Sequence, residues 1–533
     1  MFKHSILFSI VCLGLAGCGG GGGSSGGTGV TAPTWTAGVF PAESNFKNFC
    51  ATPRTGNDPF NNNAPFPDRA GTAMHEKMWL RSWSNNTYLW YRELPDPNPA
   101  NFGVLAYFDQ LKTTALTDSG ALKDDFHFAQ NTAEYRQETQ GGVSSGYGIR
   151  WSFGRNTPPR LLTVAYVEPN SPAAQQGVAR GDQVITVNGV DFVNDNSNAG
   201  VTVLNNALFP SSTGQTNQFT LRPASGTDKS LSLTSANVST SPVQNVTVLD
   251  TAQGKVGYMQ FNTHIALAQP QLINAIQQFS TENVQELVID LRYNGGGLLA
   301  LASQFAYMVS GPNIIQSRFF ERTRFNDKHP NTNPVTGSPL TPMPFYGVQI
   351  DYERGVTTGT SLPSLGLSRI YVLSTGNTCS ASEAFINGLR GIDVEVILIG
   401  GNTCGKPYGF YPTDNCGTTY FTIQFSGENA KGFGDFADGF RPTPAPVFQA
   451  DVKGCVAADD FSKALGDPQE RLLSTALHYI ANDSCPAGMM SQSLSWQQPE
   501  ITVDDQQPLW QLDARYRSML LENSIRQDIR DPD

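Results

Sequence analysis

Hydrophobic and polar positions change rhythm along the chain. Met74, Met78, Trp79, Trp83, Leu89 and Trp90 recur largely at helical spacing and predict a helix over 74–91, with a second over 102–111. The apolar run 161–167 predicts a strand. Pro169-Asn170-Ser171-Pro172 then predicts a turn opening a short helix over 173–176, which Gly177 ends. Gly181-Asp182 leads into a strand over 183–187 and a hairpin-type turn at Asn188-Gly189. From about residue 250, apolar runs alternate with amphipathic segments. Strands are expected at 255–261, 286–291, 369–373 and 395–399, and helices at 271–279, from the glycines 295–297 to about 309, and at 382–390. That alternation implies a layered α/β core. Residues 322–364 are polar and rich in Pro and Gly, and read as a long insertion; 504–533 read as a solvated acidic tail with one helix over 515–526.

At about 150 residues per domain, 533 residues make several domains. The segments divide as 1–17 signal peptide, 18–40 Gly/Ser-rich tether, 41–142 helical domain, 143–243 β-rich domain, 244–485 α/β core and 486–533 tail. The first boundary rests on Lys3 and His4, an apolar run over 6–15 too short for a mature bilayer span, and Leu15-Ala16-Gly17-Cys18. The last four resemble a bacterial lipobox, in which Cys18 carries the lipid; the alternative is an ordinary signal peptide or a buried start. Gly19 rather than Asp follows the cysteine, so the expected location is the cell envelope, lipid-anchored at the outer membrane, facing the periplasm or the surface.

The net charge of −11 disfavours a nucleic-acid partner. Without Cys12 and Cys18, six cysteines remain, an even number that suggests disulfides in an exported chain. Cys404–Cys416 and Cys455–Cys485 are the pairs expected from proximity in sequence, with Cys50 and Cys379 paired or free. There is no Cys-x-x-Cys and only six histidines, so neither a metal site nor a cofactor is expected.

Three segments carry candidate chemistry. Ser380, in Thr378-Cys379-Ser380-Ala381-Ser382-Glu383, falls at a strand-to-helix junction, where unpaired N–H groups of the first turn can stabilise an oxyanion. Alternatively, Ser380 and Ser382 are only helix caps. Lys406 follows the next strand in Gly400-Gly401-Asn402-Thr403-Cys404-Gly405-Lys406. A partly apolar pocket would lower its proton affinity and make it a general base; in the open it is an ordinary loop lysine. Asp290-Leu291-Arg292-Tyr293-Asn294-Gly295-Gly296-Gly297 ends a third strand. One of its glycine N–H groups is a candidate second oxyanion donor, whereas Asp290 and Arg292 more naturally anchor the loop. Gly400-x4-Gly405-Lys406 lacks the Ser or Thr of a phosphate-binding loop, since Pro407 follows. His264 and His478 read as structural.

The stretch from Val167 to Gly189 resembles a PDZ domain, with Gly146-Tyr147-Gly148-Ile149 where such domains keep the carboxylate-binding loop. Taken with "DLR.N.GG", the Ser380 segment and Gly405-Lys406, in that order, the chain resembles the carboxyl-terminal processing, or tail-specific, proteases. The resemblance implies a multidomain α+β protein with a layered, ClpP/crotonase-like α/β core, preceded by the PDZ domain and a small helical domain. It implies Ser380 as nucleophile, Lys406 as general base, and N–H groups of Ala381 and Gly296 or Gly295 as the oxyanion hole. The partners it implies are proteins or peptides with exposed C-termini, cleaved near that end, beside the membrane that would hold the lipid anchor. The chain departs from the pattern at Cys379, which replaces a small residue, at Pro407 and Tyr408, and at Phe410, where the family often has Gln. These departures bear on the orientation of the lysine, so an inactive PDZ-bearing binding lipoprotein stands as the alternative, and a hydrolase of non-peptide esters or amides as a third.

Overall fold

The computed structural model describes residues 30–210 and 212–487. The signal peptide, Cys18, the tether up to residue 29 and the tail from 488, with its helix over 515–526, lie outside the described residues.

The aromatic stripe of the N-terminal segment forms helix α1 (Ala73–Thr87), and Met78, Trp79 and Trp83 are buried along it. The stripe is core: Trp79 stacks on Trp83 and tilts against Tyr420, more than 300 residues away. The expected second helix is one short turn, Val104–Phe108. The segment is not purely helical, because Phe128–Asn131 pairs antiparallel with Thr418–Phe421. That strand pairing and a Cys50–Cys416 disulfide fasten the N-terminal segment to the core.

A six-stranded sheet follows, whose main path is built from β1 (Ile149–Arg155), β2 (Leu161–Val167), β3 (Gln183–Val187), β4 (Thr216–Arg222) and β5 (Lys229–Thr234) in the order β5-β4-β3-β2-β1, with Val190–Asp191 paired to β3 off that path. The short helix α2 (Pro172–Gln175) starts at Ser171, whose Oγ accepts the Ala174 N–H. Helix α3 (Asn198–Leu208) sends Leu204, Ala207 and Leu208 into the same core.

The core sheet contains β6 (Val243–Thr251), β7 (Gly254–Phe261), β8 (Glu286–Asp290), β9 (Arg369–Ser374), β10 (Glu395–Gly400), β11 (Arg441–Thr443) and β12 (Asp451–Val456) in the order β6-β7-β8-β9-β10-β12-β11. All neighbours are parallel except β6 and β7. Strands buried on both faces read as continuous apolar runs, which explains their visibility in the sequence. Helices α4 (Ala268–Thr281), α5 (Leu299–Ile315) and α6 (Ala381–Gly391) cover one face, and α7 (Arg471–Asn482) the other. The segment expected as an irregular insertion contains paired strands: Phe319–Phe325 joins Phe425–Glu428, and Val348–Asp351 joins Val356–Ser361. The middle strands β8, β9 and β10 lie side by side, so the loops after their C-terminal ends meet.

Candidate active site

Those three loops carry the residues singled out in the sequence. Thr378, Cys379 and Ser380 lead from β9 into α6, which begins at Ala381. Ser380 has φ +63°, a left-handed conformation that a non-glycine residue adopts at a cost of about 1–3 kcal/mol and that is typical of functional turns. Gly296 shares the tight space. A Cβ there would lie 2.8 Å from Ser380 Cβ and 2.9 Å from the Ala381 nitrogen, so only glycine allows this approach. As first residue of the helix, Ala381 has one of the N–H groups left without an intrahelical acceptor.

Glu383, the third residue of α6, joins the serine and lysine loops. Its Oε2 accepts the Ser380 N–H at 2.8 Å and the Lys406 N–H at 2.9 Å, while Oε1 accepts the Gly405 N–H at 2.9 Å and the Thr403 hydroxyl at 2.6 Å. One carboxylate oxygen therefore touches the backbones of both residues. Burial raises the Glu383 pKa, and the Thr403 hydroxyl and three backbone donors oppose that rise.

Lys406 is 1% exposed, and its Nζ has no hydrogen-bond partner among the described residues. It lies 4.3 Å from the ring centre of Phe410 and 5.0 Å from that of Phe126. Burial dominates and lowers its pKa to about 7; Asp124 and Glu383 act in the opposite direction. Ser380 Oγ is likewise buried with no hydrogen-bond partner among the described residues, so the two side chains are not hydrogen-bonded to each other.

The Gly296 N–H expected in the oxyanion hole is engaged here. It donates to Asn294 Oδ1 at 3.0 Å, and that oxygen also lies 3.1 Å from His264 Nδ1. Asn294 braces the loop in other directions too: its carbonyl accepts from Cys379 N–H and Ser382 Oγ, and its Nδ2 donates to Phe261 O. Arg292 is an anchor. It bonds Asp290, Glu470 and Asp459 from a fully buried position. Asp459 also accepts from Tyr293 and from Arg180 of the β-rich domain, so one carboxylate joins the two domains beside the glycine loop.

In the β-rich domain, Gly146 lies in a ladder opposite Ala236, and Tyr147 is buried with its hydroxyl on Ala207 O. Gly148 has φ +77° and would clash with Ser171 if it carried a Cβ. Ile149 opens β1, the edge of its sheet. Among the described residues no strand pairs with the outer side of β1, and of the four expected loop residues Gly148 and Ile149 are the two that border that edge.

Residues 255–411 match the family described as peptidase family S41, and 163–197 match a PDZ domain. The match falls within the α/β core and includes Ser380, Lys406 and the glycine loop. The chain is 26% identical over 223 residues to a carboxyl-terminal-processing protease of Picosynechococcus sp., covering 41% of this chain and 52% of that one. It is 29% identical over 224 residues to carboxyl-terminal-processing peptidase 2, chloroplastic, of Arabidopsis thaliana, covering 41% and 42%. The chain thus spans about half the length of the curated relatives it matches. A Bacteroides fragilis crystal structure assigned to the S41 proteases superimposes with a TM-score of 0.55 at 24% identity, covering 76% of this chain and 97% of that one, and supports the fold.

Around these loops, sequence reading missed several site residues. Asp124 and Phe126 reach Lys406 from a segment about 280 positions earlier, without a motif to mark them. Glu383 was visible as part of the serine segment, but not as the link between loops. His264 read as structural, and it is buried against the glycine loop: a Cβ on Gly297 would meet its carbonyl at 2.4 Å. Burial lowers its pKa to about 4, so it is neutral at physiological pH. The cysteine pairing also differs. Cys455–Cys485 forms as expected, whereas Cys404 bonds Cys379 and Cys416 bonds Cys50. Proximity in sequence failed because the sheet brings β9 and β10 loops together and the N-terminal segment folds onto 408–424.

Proposed function

We propose that the chain is a serine-type endopeptidase that cleaves proteins near their C-terminus. The observation that carries this reading is a buried amine, with its pKa lowered to about 7, whose backbone shares a carboxylate oxygen with the backbone of a serine at a helix start. Neutral Lys406 takes the hydroxyl proton of Ser380 as its Oγ attacks the substrate carbonyl carbon. The carbonyl oxygen becomes an oxyanion at the Ala381 N–H. A second donor comes from the glycine loop, through Gly295 or through Gly296 once it turns from Asn294. Protonated Lys406 returns the proton to the leaving amine, and water then hydrolyses the acyl-enzyme by the same route. The PDZ domain recruits the substrate by strand addition at β1. No step calls on a metal or cofactor.

The related names support the substrate class, and the sequence before residue 30 supports the place: a lipid on Cys18 would hold the enzyme at the outer membrane. The absence of a hydrogen bond between Ser380 and Lys406 favours the alternative, an inactive binding lipoprotein. Hydrolysis of an unfolded protein with an apolar C-terminus separates the two. Wild type is expected to cleave, with Ser380→Ala and Lys406→Ala folded and inactive; equal turnover in Ser380→Ala would refute the assignment. Cell fractionation of Cys18→Ser is expected to move the protein out of the membrane fraction, and unchanged membrane recovery would refute the anchor.

A further inference from the structure

The Cys379–Cys404 disulfide joins the residue immediately before the nucleophile to the loop that carries the lysine. We propose that this bond is a positioning element of the site, so that the serine and lysine are aligned for reaction only while it is intact. The inference rests on the reading of Ser380 and Lys406 given above.

Three observations lead to it. First, nothing at the side-chain level fixes one partner on the other, because Ser380 Oγ and Lys406 Nζ both lack hydrogen-bond partners among the described residues. Their alignment therefore depends on the two backbones. Second, the lysine loop is intrinsically pliable: Gly400, Gly401 and Gly405 lie within seven residues, and Gly400 and Gly405 have positive φ. Its first residues are tied to the neighbouring strand ends, Gly401 exchanging bonds with Ser374 and Gly400 O accepting from Ala457 N–H, and Thr403 Oγ1 accepts the Phe440 N–H; the attachments nearer the lysine are the following. Thr403 N–H donates to Phe440 O, Cys404 N–H to Thr378 O, and Glu383 accepts from Thr403, Gly405 and Lys406. Third, the covalent bond falls at the centre of that set, two residues before the lysine. Cys379 is fully buried and Cys404 half-buried, so the bond can be reached from the Cys404 side. Joined to each other, the two sulfurs offer no thiolate beside Glu383.

A dithiol reductant opens the bond by thiol–disulfide exchange. Its thiolate attacks Cys404 Sγ, the S–S bond breaks, and Cys379 leaves as a thiolate that takes up a proton. The second reductant thiol then displaces Cys404 as a thiol, so two electrons pass to the protein and one cyclic disulfide of the reductant forms. The released loop keeps its contacts to Glu383 but loses its covalent tie to the serine segment.

The test compares full-length wild type before and after treatment with dithiothreitol, Cys379→Ala/Cys404→Ala, and Cys455→Ala/Cys485→Ala. Alkylation and mass mapping establish which thiols are free. Reduction is expected to lower kcat by about 10- to 100-fold, the scale of an ångström-sized misplacement, with KM within about twofold. Reoxidation with glutathione disulfide is expected to restore it. The Cys379/Cys404 variant should show the low kcat and no response to reductant, whereas the Cys455/Cys485 variant should respond as wild type does. Backbone amide exchange over 401–407 gives a readout independent of turnover, and it should accelerate in the reduced protein and in the Cys379/Cys404 variant. An unchanged kcat, or unchanged exchange, with Cys379 and Cys404 shown free overturns the proposal. If oxidised wild type matches Ser380→Ala in showing no hydrolysis, the functional reading fails, and exchange alone decides the positioning role. If the double variant does not fold, wild type reduced only until the mass map shows Cys379 and Cys404 free and Cys50–Cys416 intact carries both readouts.

Discussion

The lysine makes a quantitative prediction about pH. Its pKa falls from 10.5 to about 7, chiefly through burial. At 1.36 kcal/mol per unit, that difference corresponds to about 5 kcal/mol of preference for the neutral amine in the folded protein. Because the folded pKa is the lower one, the unfolded chain binds more protons between about pH 7 and 10.5, and stability rises with pH across that window. Activity should follow the neutral fraction. kcat/KM is then about a tenth of its plateau at pH 6, half at pH 7 and about nine-tenths at pH 8, since it reports the free enzyme. Two other buried groups titrate close by. Burial raises Glu168, near the junction of the PDZ domain and the core, to about 7, and Glu321 to about 8. Glu168→Gln and Glu321→Gln should leave the midpoint in place. Phe410→Gln should move it. The ring 4.3 Å from Nζ offers no lone pair, and a Gln carbonyl would. A hydrogen bond to a charged group contributes about 1.5–3 kcal/mol, so the midpoint rises by about 1–2 units. Initial rates on a fluorogenic peptide between pH 5.5 and 9.5 measure this. A flat profile, or a midpoint that moves in Glu168→Gln but not in Phe410→Gln, would refute the role of Lys406.

Three other substitutions test the surroundings of the site. Gly296→Ala places a methyl group 2.8 Å from Ser380 Cβ at a φ of +109°, and kcat should fall by about a hundredfold or more as oxyanion geometry is lost; near-normal kcat would refute the close approach. Glu383→Gln leaves one acceptor oxygen for four donors, so urea unfolding should show a loss of about 2–4 kcal/mol together with a lower kcat. An unchanged urea midpoint would count against Glu383 as the link between loops. Arg180→Ala removes a buried partner of Asp459 and should cost about 3 kcal/mol, with faster proteolytic nicking between the PDZ domain and the core; equal nicking would show that the ionic bridge does not hold the domains.

The parts of the fold that were legible are those whose physics is local. Strands β8, β9 and β10 are buried on both faces, so their apolar runs locate them to within a residue. Helix α6, expected over 382–390, runs over Ala381–Gly391 with Ser380, weighed as a cap, at its N-cap position. The order of motifs placed Ser380, Lys406 and the glycine loop at adjoining strand ends, where the structure has them. What stayed hidden depends on distant partners. Tyr420 completes the α1 core and Cys416 pairs with Cys50, yet neither residue signals this locally. The short strands within 322–364 are half-exposed, polar and paired mostly with one another, so no apolar periodicity marks them. The state of Gly296 was equally invisible, because its N–H can face a substrate or Asn294 and composition does not choose between them.

The charge balance around Lys406 explains how a lysine with two nearby carboxyl groups is still set up to act as a base. An isolated anion at this distance would form an ion pair with the ammonium and hold its pKa up. Glu383 does not, because its two oxygens are engaged by three backbone N–H groups and a hydroxyl, all belonging to the loops it joins. Its hydrogen-bonding capacity is thus directed to positioning, while the apolar rings of Phe126 and Phe410 face the amine. Burial then outweighs the residual attraction of Asp124 and Glu383, and that attraction limits the fall to about 7. A base whose pKa lies near the working pH is both deprotonated often enough and basic enough to take a serine proton. The serine, the lysine and the glutamate all lie in the matched core, but the aromatic lining comes from Phe126 of the N-terminal segment and from Phe410. The poise of this site is therefore a property of how the N-terminal segment packs onto the core.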